Sequence, residues 1–319
     1  MGNADSSPTR SRKPTKRYKV SCDRINVLVN TMLLKTLALF SLAALSLCAT
    51  SPPPGSITVG PGGTYSTLSA ALQDTSSNVY FIYATSIRER VVITRPNITI
   101  YGQTSDESTW SKNRATIYNN ISAAVVGSNE ASATISIRGS ATNVKLYNLN
   151  IANTYRQGQA IALAISGTRT GAYGVNLTGY QDTFLTNDGL HYFSKGYING
   201  ATDFIFGSRS SIWITQSTIE TIGNGWITAS GRSSDDPNYY VIDRCNIIGN
   251  GTQSLGRPWR DYARVIFQNS VLGSQIQPAG WSAWGSNPTD HVFYGEYNNT
   301  GPGAWNSARV PFATKMGRG

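Results

Sequence analysis

The sequence predicts an all-β protein: a right-handed single-stranded parallel β-helix with a capping helix at its N-terminal end. Three observations predict it. First, short strand signals recur along the chain: "LNIAN" from Leu149, "VNLTG" from Val175, "YINGA" from Tyr197, "TIETI" from Thr218, "NIIGN" from Asn246 and "SVLGS" from Ser270. Taking Ile151, Leu177, Ile198, Ile219, Ile248 and Leu272 as equivalent gives spacings of 26, 21, 21, 29 and 24 residues. Periods in this range mark solenoids and arrays. Second, charged residues make up only 14 % of the chain, and glycine, serine, threonine and asparagine separate the strand signals. Third, a single stretch near the start of the domain reads as helix.

That stretch is "GGTYSTLSAALQDTSS". Thr64 or Ser66 is the expected N-cap, and Leu68, Ala71 and Leu72 share one face. It precedes the first coil, so its apolar face is expected to cover the open end of the core. Each later coil has one apolar face that it cannot bury alone, and stacking on its neighbours buries it. A β-sandwich, with strands every 8–12 residues, is the alternative that periodicity leaves open.

The chain divides at about residue 50. Residues 1–50 hold eight Lys and Arg against Asp5 and Asp23, leaving 19 basic and 15 acidic groups in residues 51–319. The domain is thus mildly basic, and the excess charge belongs to the leader. No nucleic-acid partner is expected. "TLALFSLAALSLCA", Thr36–Ala49, is a charge-free apolar run of 14 residues after Lys35. It suits a signal peptide better than a membrane span, which needs about 20 residues. Met32 is a candidate true start, and the mature protein is expected to be secreted, monomeric and free of stable membrane association. Cys22 and Cys48 fall in the leader and only Cys245 remains, so no internal disulfide framework is possible. Asn97, Asn120, Asn176, Asn250 and Asn298 open glycosylation sequons, some within strand-like segments.

The repeat carries two carboxylates. Leu177 to Ile198 is an offset of 21 residues, and the same offset takes Gly179 to Gly200 and Asp182 to Asp203. In stacked parallel coils equivalent residues lie roughly 4.8 Å apart. Two carboxylates that close do not both ionise easily, so one pKa rises and the other stays low. Such a pair supplies an acid together with a nucleophile or base. The alternative is a pair of turn aspartates bonded to their own backbone. The following "TFL" and "FIF" make them look like strand residues instead. Other chemistry lacks its residues. There is no G-x-S-x-G elbow, no cluster with zinc spacing, no calcium loop, and no Walker or dinucleotide glycine pattern. No metal or cofactor is expected.

"GQAIALAISG", "GYQDTF", "DFIFG", "ITASGR" and "LGRPWRDYARVIF" resemble, in order, the signature blocks of pectin methylesterases, carbohydrate esterases that act on pectin. The likeness runs over roughly residues 55–304, and the tail is most similar to fungal members. The resemblance implies a parallel β-helix and hydrolysis of pectin methyl esters to pectate and methanol, in plant cell-wall modification or degradation. It implies Asp203 as nucleophile, and Asp182 as the acid that protonates methanol and then as the base that activates water. It implies Gln159 and Gln181 as oxyanion donors, Arg257 as the partner that keeps Asp203 ionised, and Trp259, with Tyr180 and Phe204, as substrate-binding residues. Departures are small: Phe184 stands where leucine is usual, Ile161 for valine and Leu185 for a common tyrosine. The C-terminal segment also looks short. A pectin lyase or glycoside hydrolase on a similar fold, and a non-catalytic polysaccharide-binding solenoid, are the alternatives.

Overall fold

The computed structural model describes residues 50–317. The extension and signal-peptide expectation, with Cys22 and Cys48, lies outside the described residues. Among the described residues the chain forms two sheets whose strands pair in parallel from coil to coil. One sheet has eleven strands in chain order, from Ile57–Val59 to Ala313–Lys315.

The other has thirteen and is built of two rows. One row includes Ala115–Asn119, Leu149–Asn153 and Asn176–Thr178; the other includes Ile135–Ile137, Leu163–Ile165 and Phe184–Thr186. The rows merge at the long strand Tyr197–Gly207, which pairs with both Asn176–Thr178 and Phe184–Thr186. Thr218–Ser230 continues both rows. The corner between them is where the two repeated aspartates fall.

The apolar column that the period predicted is present, with one correction. Ile151, Leu177, Ile198 and Ile219 stand in register, but the next members are Ile247 and Leu272. Ile247 is fully buried, whereas Ile248 is 38 % exposed. Two adjacent isoleucines on a strand face opposite sides, and only the ladder decides which turns inward.

The helix is also shifted. It spans Leu68–Ala71, and its N-cap is Thr67, whose hydroxyl accepts from Ala70 N at 3.2 Å. Thr64 is held instead in a turn, its N–H donating to Thr58 Oγ1 at 3.0 Å. Leu68 and Ala71 are buried in the main core, so the helix does close the N-terminal end. Glu89 accepts from Leu68 N and Ser69 N at 2.9 and 3.0 Å, satisfying two of its first amides.

One turn repeats at seven successive coils. Asn148, Gly174, Lys195, Gln216, Arg244, Asn269 and Asn298 all have φ between 49° and 60°. Each ends a strand of the first sheet and redirects the chain into the second. Asparagine and glycine tolerate this left-handed geometry, whereas Lys, Gln and Arg adopt it at a cost of roughly 1–2 kcal/mol each.

At the C-terminal end the core column of Ile214, Ile242 and Phe267 is continued by Glu296. Glu296 is ion-paired to Arg309 at 2.8 Å with both side chains 1 % exposed, and it also accepts from Trp281 Nε1 at 3.0 Å. Arg309 further donates to Gly303 O and Pro278 O. The end of the β-helix is thus built, although the sequence had put it in doubt. Cys245 is buried and unpaired, and burial pushes its thiol up to about 12. Of the sequon asparagines, Asn97, Asn120, Asn250 and Asn298 are exposed. Asn176 is half-buried and donates to Asn150 Oδ1 at 3.1 Å.

Candidate active site

The two aspartates stand one coil apart, as the spacing predicted. Gln181 bridges to Thr202, and Phe184 pairs with Ile205, so the 21-residue offset brackets Asp182 and Asp203 on both sides. Asp182 N donates to Thr202 O at 3.1 Å. Their backbone differs from the expectation of plain strand residues. Both are left-handed, with φ of 63° and 50°. Asp182 lies in the bend between the two rows, and Asp203 lies at the irregularity where the rows fuse. A non-glycine residue held here is strained, and such strain collects at functional sites.

That geometry breaks strand alternation. After Asp203 both Phe204 and Ile205 turn into the core, and Phe206 is the next residue to face outward. Phe204 is fully buried and cannot touch a substrate, which corrects its expected binding role. Phe206 lines the cleft in its place. Leu185, the registered neighbour of Phe206, packs with it against Ala229, Trp259 and Trp284.

The cleft holds about 120 Å³ and is lined by Asn129, Gln159, Asp182, Asp203, Phe206, Ala229, Trp259 and Trp284. Gln159 donates to Asp182 Oδ2 at 2.9 Å, and Asn129 donates to the same oxygen at 3.2 Å. Gln181 bridges Gln159 on one coil and Thr202 on the next, so the two glutamines stand side by side. Arg257 grips Asp203 with both arms, Nε to Oδ1 at 3.0 Å and Nη2 to Oδ2 at 2.6 Å. Its guanidinium lies 3.5 Å from the Trp226 ring centroid and 3.8 Å from that of Trp284. Trp259 stands 6.3 Å from Phe206, ring to ring, in the cleft wall. Tyr180 is half-buried outside this wall, with Arg156 over its ring at 5.1 Å.

The surroundings of the two carboxyls are unequal. Burial, and then the charge of Asp203, push Asp182 up to about 7, against the pull of Gln159, Arg257 and Asn129. Burial raises Asp203 as well, where a low value was expected, and the hydrogen bonds and charge of Arg257 oppose it. Asp203 therefore ionises first, and its charge holds the proton on Asp182. Once Asp203 has ionised, and until pH rises through about 7, the pair is one carboxylate and one carboxylic acid.

The Pectinesterase family model matches residues 57–316. The chain belongs to the pectinesterase family. A probable pectinesterase A of Aspergillus fumigatus is 39 % identical, over 90 % of this chain and 97 % of the relative. Pectinesterase A of Emericella nidulans is 42 % identical, over 82 % of this chain and 83 % of the relative. The crystal structure of the pectin methylesterase from Aspergillus niger superimposes with a TM-score of 0.80 at 40 % identity, covering 84 % of this chain and 92 % of that one. The present chain is thus a pectinesterase enzyme on a parallel β-helix.

Sequence reasoning about this pectinesterase missed Asn129, Trp226, Trp284 and Phe206. Trp226 is the registered partner of Thr202 one coil later, so strand register would have found it. Asn129 sits on the short helix Asn129–Ser132, inserted between strands and outside the repeat, where no periodic signal reaches.

Proposed function

We propose that this pectinesterase hydrolyses the C6 methyl esters of methyl-esterified homogalacturonan to pectate and methanol through an aspartyl acyl-enzyme. The observation that carries the reading is the difference between the two neighbouring aspartates. Asp203 is gripped by an arginine fork, and Asp182 is buried against amide donors. A carboxylate of Asp203 attacks the ester carbonyl carbon, and the carbonyl π electrons move to oxygen. Gln159 and Gln181 donate to that oxyanion, a kind of contact worth ~3–4 kcal/mol in other enzymes. The tetrahedral intermediate collapses as its C–O bond to the methoxy group breaks. Asp182 gives its proton to the departing oxygen and methanol leaves. Asp182, now a carboxylate, takes a proton from water as the water attacks the anhydride-like acyl-enzyme. The carboxylate of Asp203 departs, and the galacturonate acid is released.

These steps use side chains alone. Trp259 and Phe206 offer aromatic surface to the sugar or its methyl group. Tyr180 is the further substrate-binding residue that the resemblance implies, on the Arg156 side of the cleft. The run Thr36–Ala49 supports secretion, which suits an enzyme that acts as a monomer to modify or degrade plant cell walls. Four exposed sequons support its being a glycoprotein.

The test is product analysis on highly methylated pectin. Methanol release without chain shortening is expected, and Asp203→Ala is expected to abolish it while retaining pectin binding. New reducing ends or unsaturated products without methanol would exclude the esterase, and an active Asp203→Ala enzyme would exclude the acyl-enzyme.

A further inference from the structure

Two amides meet one oxygen of Asp182. Gln159 Nε2 and Asn129 Nδ2 both donate to Oδ2, at 2.9 and 3.2 Å. They reach it from different places. Gln159 comes from the coil before Asp182, and Asn129 from the inserted helix Asn129–Ser132.

That insertion is fastened to the coil that bears Gln159. Ala123 N donates to Gln159 O at 2.8 Å, and Ile161 N donates to Ser132 Oγ at 3.3 Å. Ser132 Oγ donates to Asn129 O at 2.7 Å, and Asn153 Nδ2 donates to Ser132 O at 3.0 Å. Ser128 Oγ caps the helix by accepting from Ala131 N at 3.1 Å. The Asn129 backbone is thereby fixed relative to Gln159, and the two amides act on Asp182 as one clamp.

A neutral carboxylic acid has one oxygen that donates and one that only accepts. The oxygen that already receives two N–H groups is the acceptor. We infer that Asn129 is a positioning residue for the reaction: together with Gln159 it keeps the acid proton of Asp182 on Oδ1 and fixes the plane of the carboxyl. The inference rests on the reading of Asp182 as acid and then base. It explains how one buried carboxyl serves both steps. The clamp aims the proton while Asp182 is neutral, and the same two N–H groups stabilise the carboxylate left after the proton has gone. Asparagine meets both demands. An aspartate at 129 would set acceptor against acceptor, and a serine would be too short for the same reach.

The experiment measures methanol release from highly methylated pectin across pH for wild type, Asn129→Ala, the isosteric Asn129→Asp, and Asp182→Asn. Asn129→Ala is expected to lower kcat about 10-fold, the scale of one hydrogen bond to a charged group, with KM unchanged. Its alkaline limb moves to higher pH, because a donor that favoured the carboxylate is gone. Asn129→Asp moves the limb higher still and, being isosteric, stays informative if the alanine variant fails to fold. An unchanged kcat and limb, or a lower kcat with an unmoved limb, overturns the role of Asn129. The parent reading fails separately, if Asp182→Asn keeps full activity or wild type releases no methanol.

Discussion

Asp203 and Arg257 lie 54 residues apart in sequence and form a two-armed ion pair, with contacts of 3.0 and 2.6 Å. The register Phe206 to Ala229 to Arg257 places the arginine two coils beyond the aspartate's strand. Its side chain reaches back across one coil with Trp226 and Trp284 on its two faces. Trp226 is pinned in turn, its Nε1 donating to Ser282 Oγ at 2.5 Å.

Lysine cannot reproduce that fork, since it is a point charge on a flexible stem. Arg257→Lys is expected to cost about 2–4 kcal/mol of transition-state stabilisation, roughly 30- to 1,000-fold in kcat/KM. Trp226→Leu removes one of the two ring faces and is expected to cost about 0.5–2 kcal/mol. Initial rates of methanol release check both. A fully active Arg257→Lys enzyme would show that the fork is dispensable.

The coil that Arg257 crosses presents only a methyl group at the registered position, Ala229. Ala229→Leu is expected to push the guanidinium away from Asp203 and close part of the cleft. Overpacking of this kind costs about 1–3 kcal/mol of stability, so the protein still folds. The expected result is a folded enzyme, by circular dichroism and thermal melting, with activity greatly reduced.

The pH dependence follows from the unequal pair. In the proposed mechanism Asp182 reacts protonated and Asp203 ionised, so the rate is expected to fall as pH rises through the Asp182 value of about 7. The acid limb belongs to Asp203 and lies lower. A pH profile of kcat/KM whose alkaline limb is lost in Asp182→Asn, with only residual activity remaining, is the expected result.

The same displacement bears on stability. The folded value of Asp182, about 7, lies above the ordinary 3.8, so folding favours the neutral form. The sign is therefore destabilising with rising pH: no cost below about pH 4, growing through the interval, and complete above about pH 7. Each pH unit of displacement corresponds to about 1.4 kcal/mol. Asp182→Asn is expected to raise the melting temperature at pH 8 and to change it little at pH 3.5. An equal gain at both pH values would show that the ionised carboxyl carries no penalty.

The corner residues offer a test away from the site. Lys195 is exposed and holds φ at 52°. Lys195→Asn places there a residue that tolerates the left-handed region, with an expected gain of about 0.5–1 kcal/mol. Denaturant melts with activity unchanged are the check.

Much of the fold was legible because the apolar column repeats: Ile151, Leu177, Ile198 and Ile219 carry the period and stand where it put them. Ile248 was misassigned because two adjacent isoleucines look alike until a ladder pairs one of them. Asp182 and Asp203 were legible because one offset moves a whole block. Phe204 adjoins the cleft-facing Asp203 in sequence, but a strand turns its next side chain to the opposite side, into the core; the break in alternation falls one step later and hands the cleft to Phe206, an effect of conformation that composition does not carry. Asn129 was invisible because it enters from an insertion, and Trp284 because it lies beyond the last clear repeat.

The buried pair of Glu296 and Arg309 has a consequence for how long the molecule is. A stack of similar layers contains nothing that counts its own coils, and each new layer presents the same greasy end to the next. Charge set in the line of Ile242 and Phe267 is hostile to another apolar layer, because a further coil would have to dehydrate an ion pair it could not replace. The final strand, Ala313–Lys315, adds exposed Thr314 and Lys315 at the open rim, the kind of residue that discourages edge-to-edge growth. The last apolar layer is thus closed from within, by a charge pair that the C-terminal segment itself brings back over it.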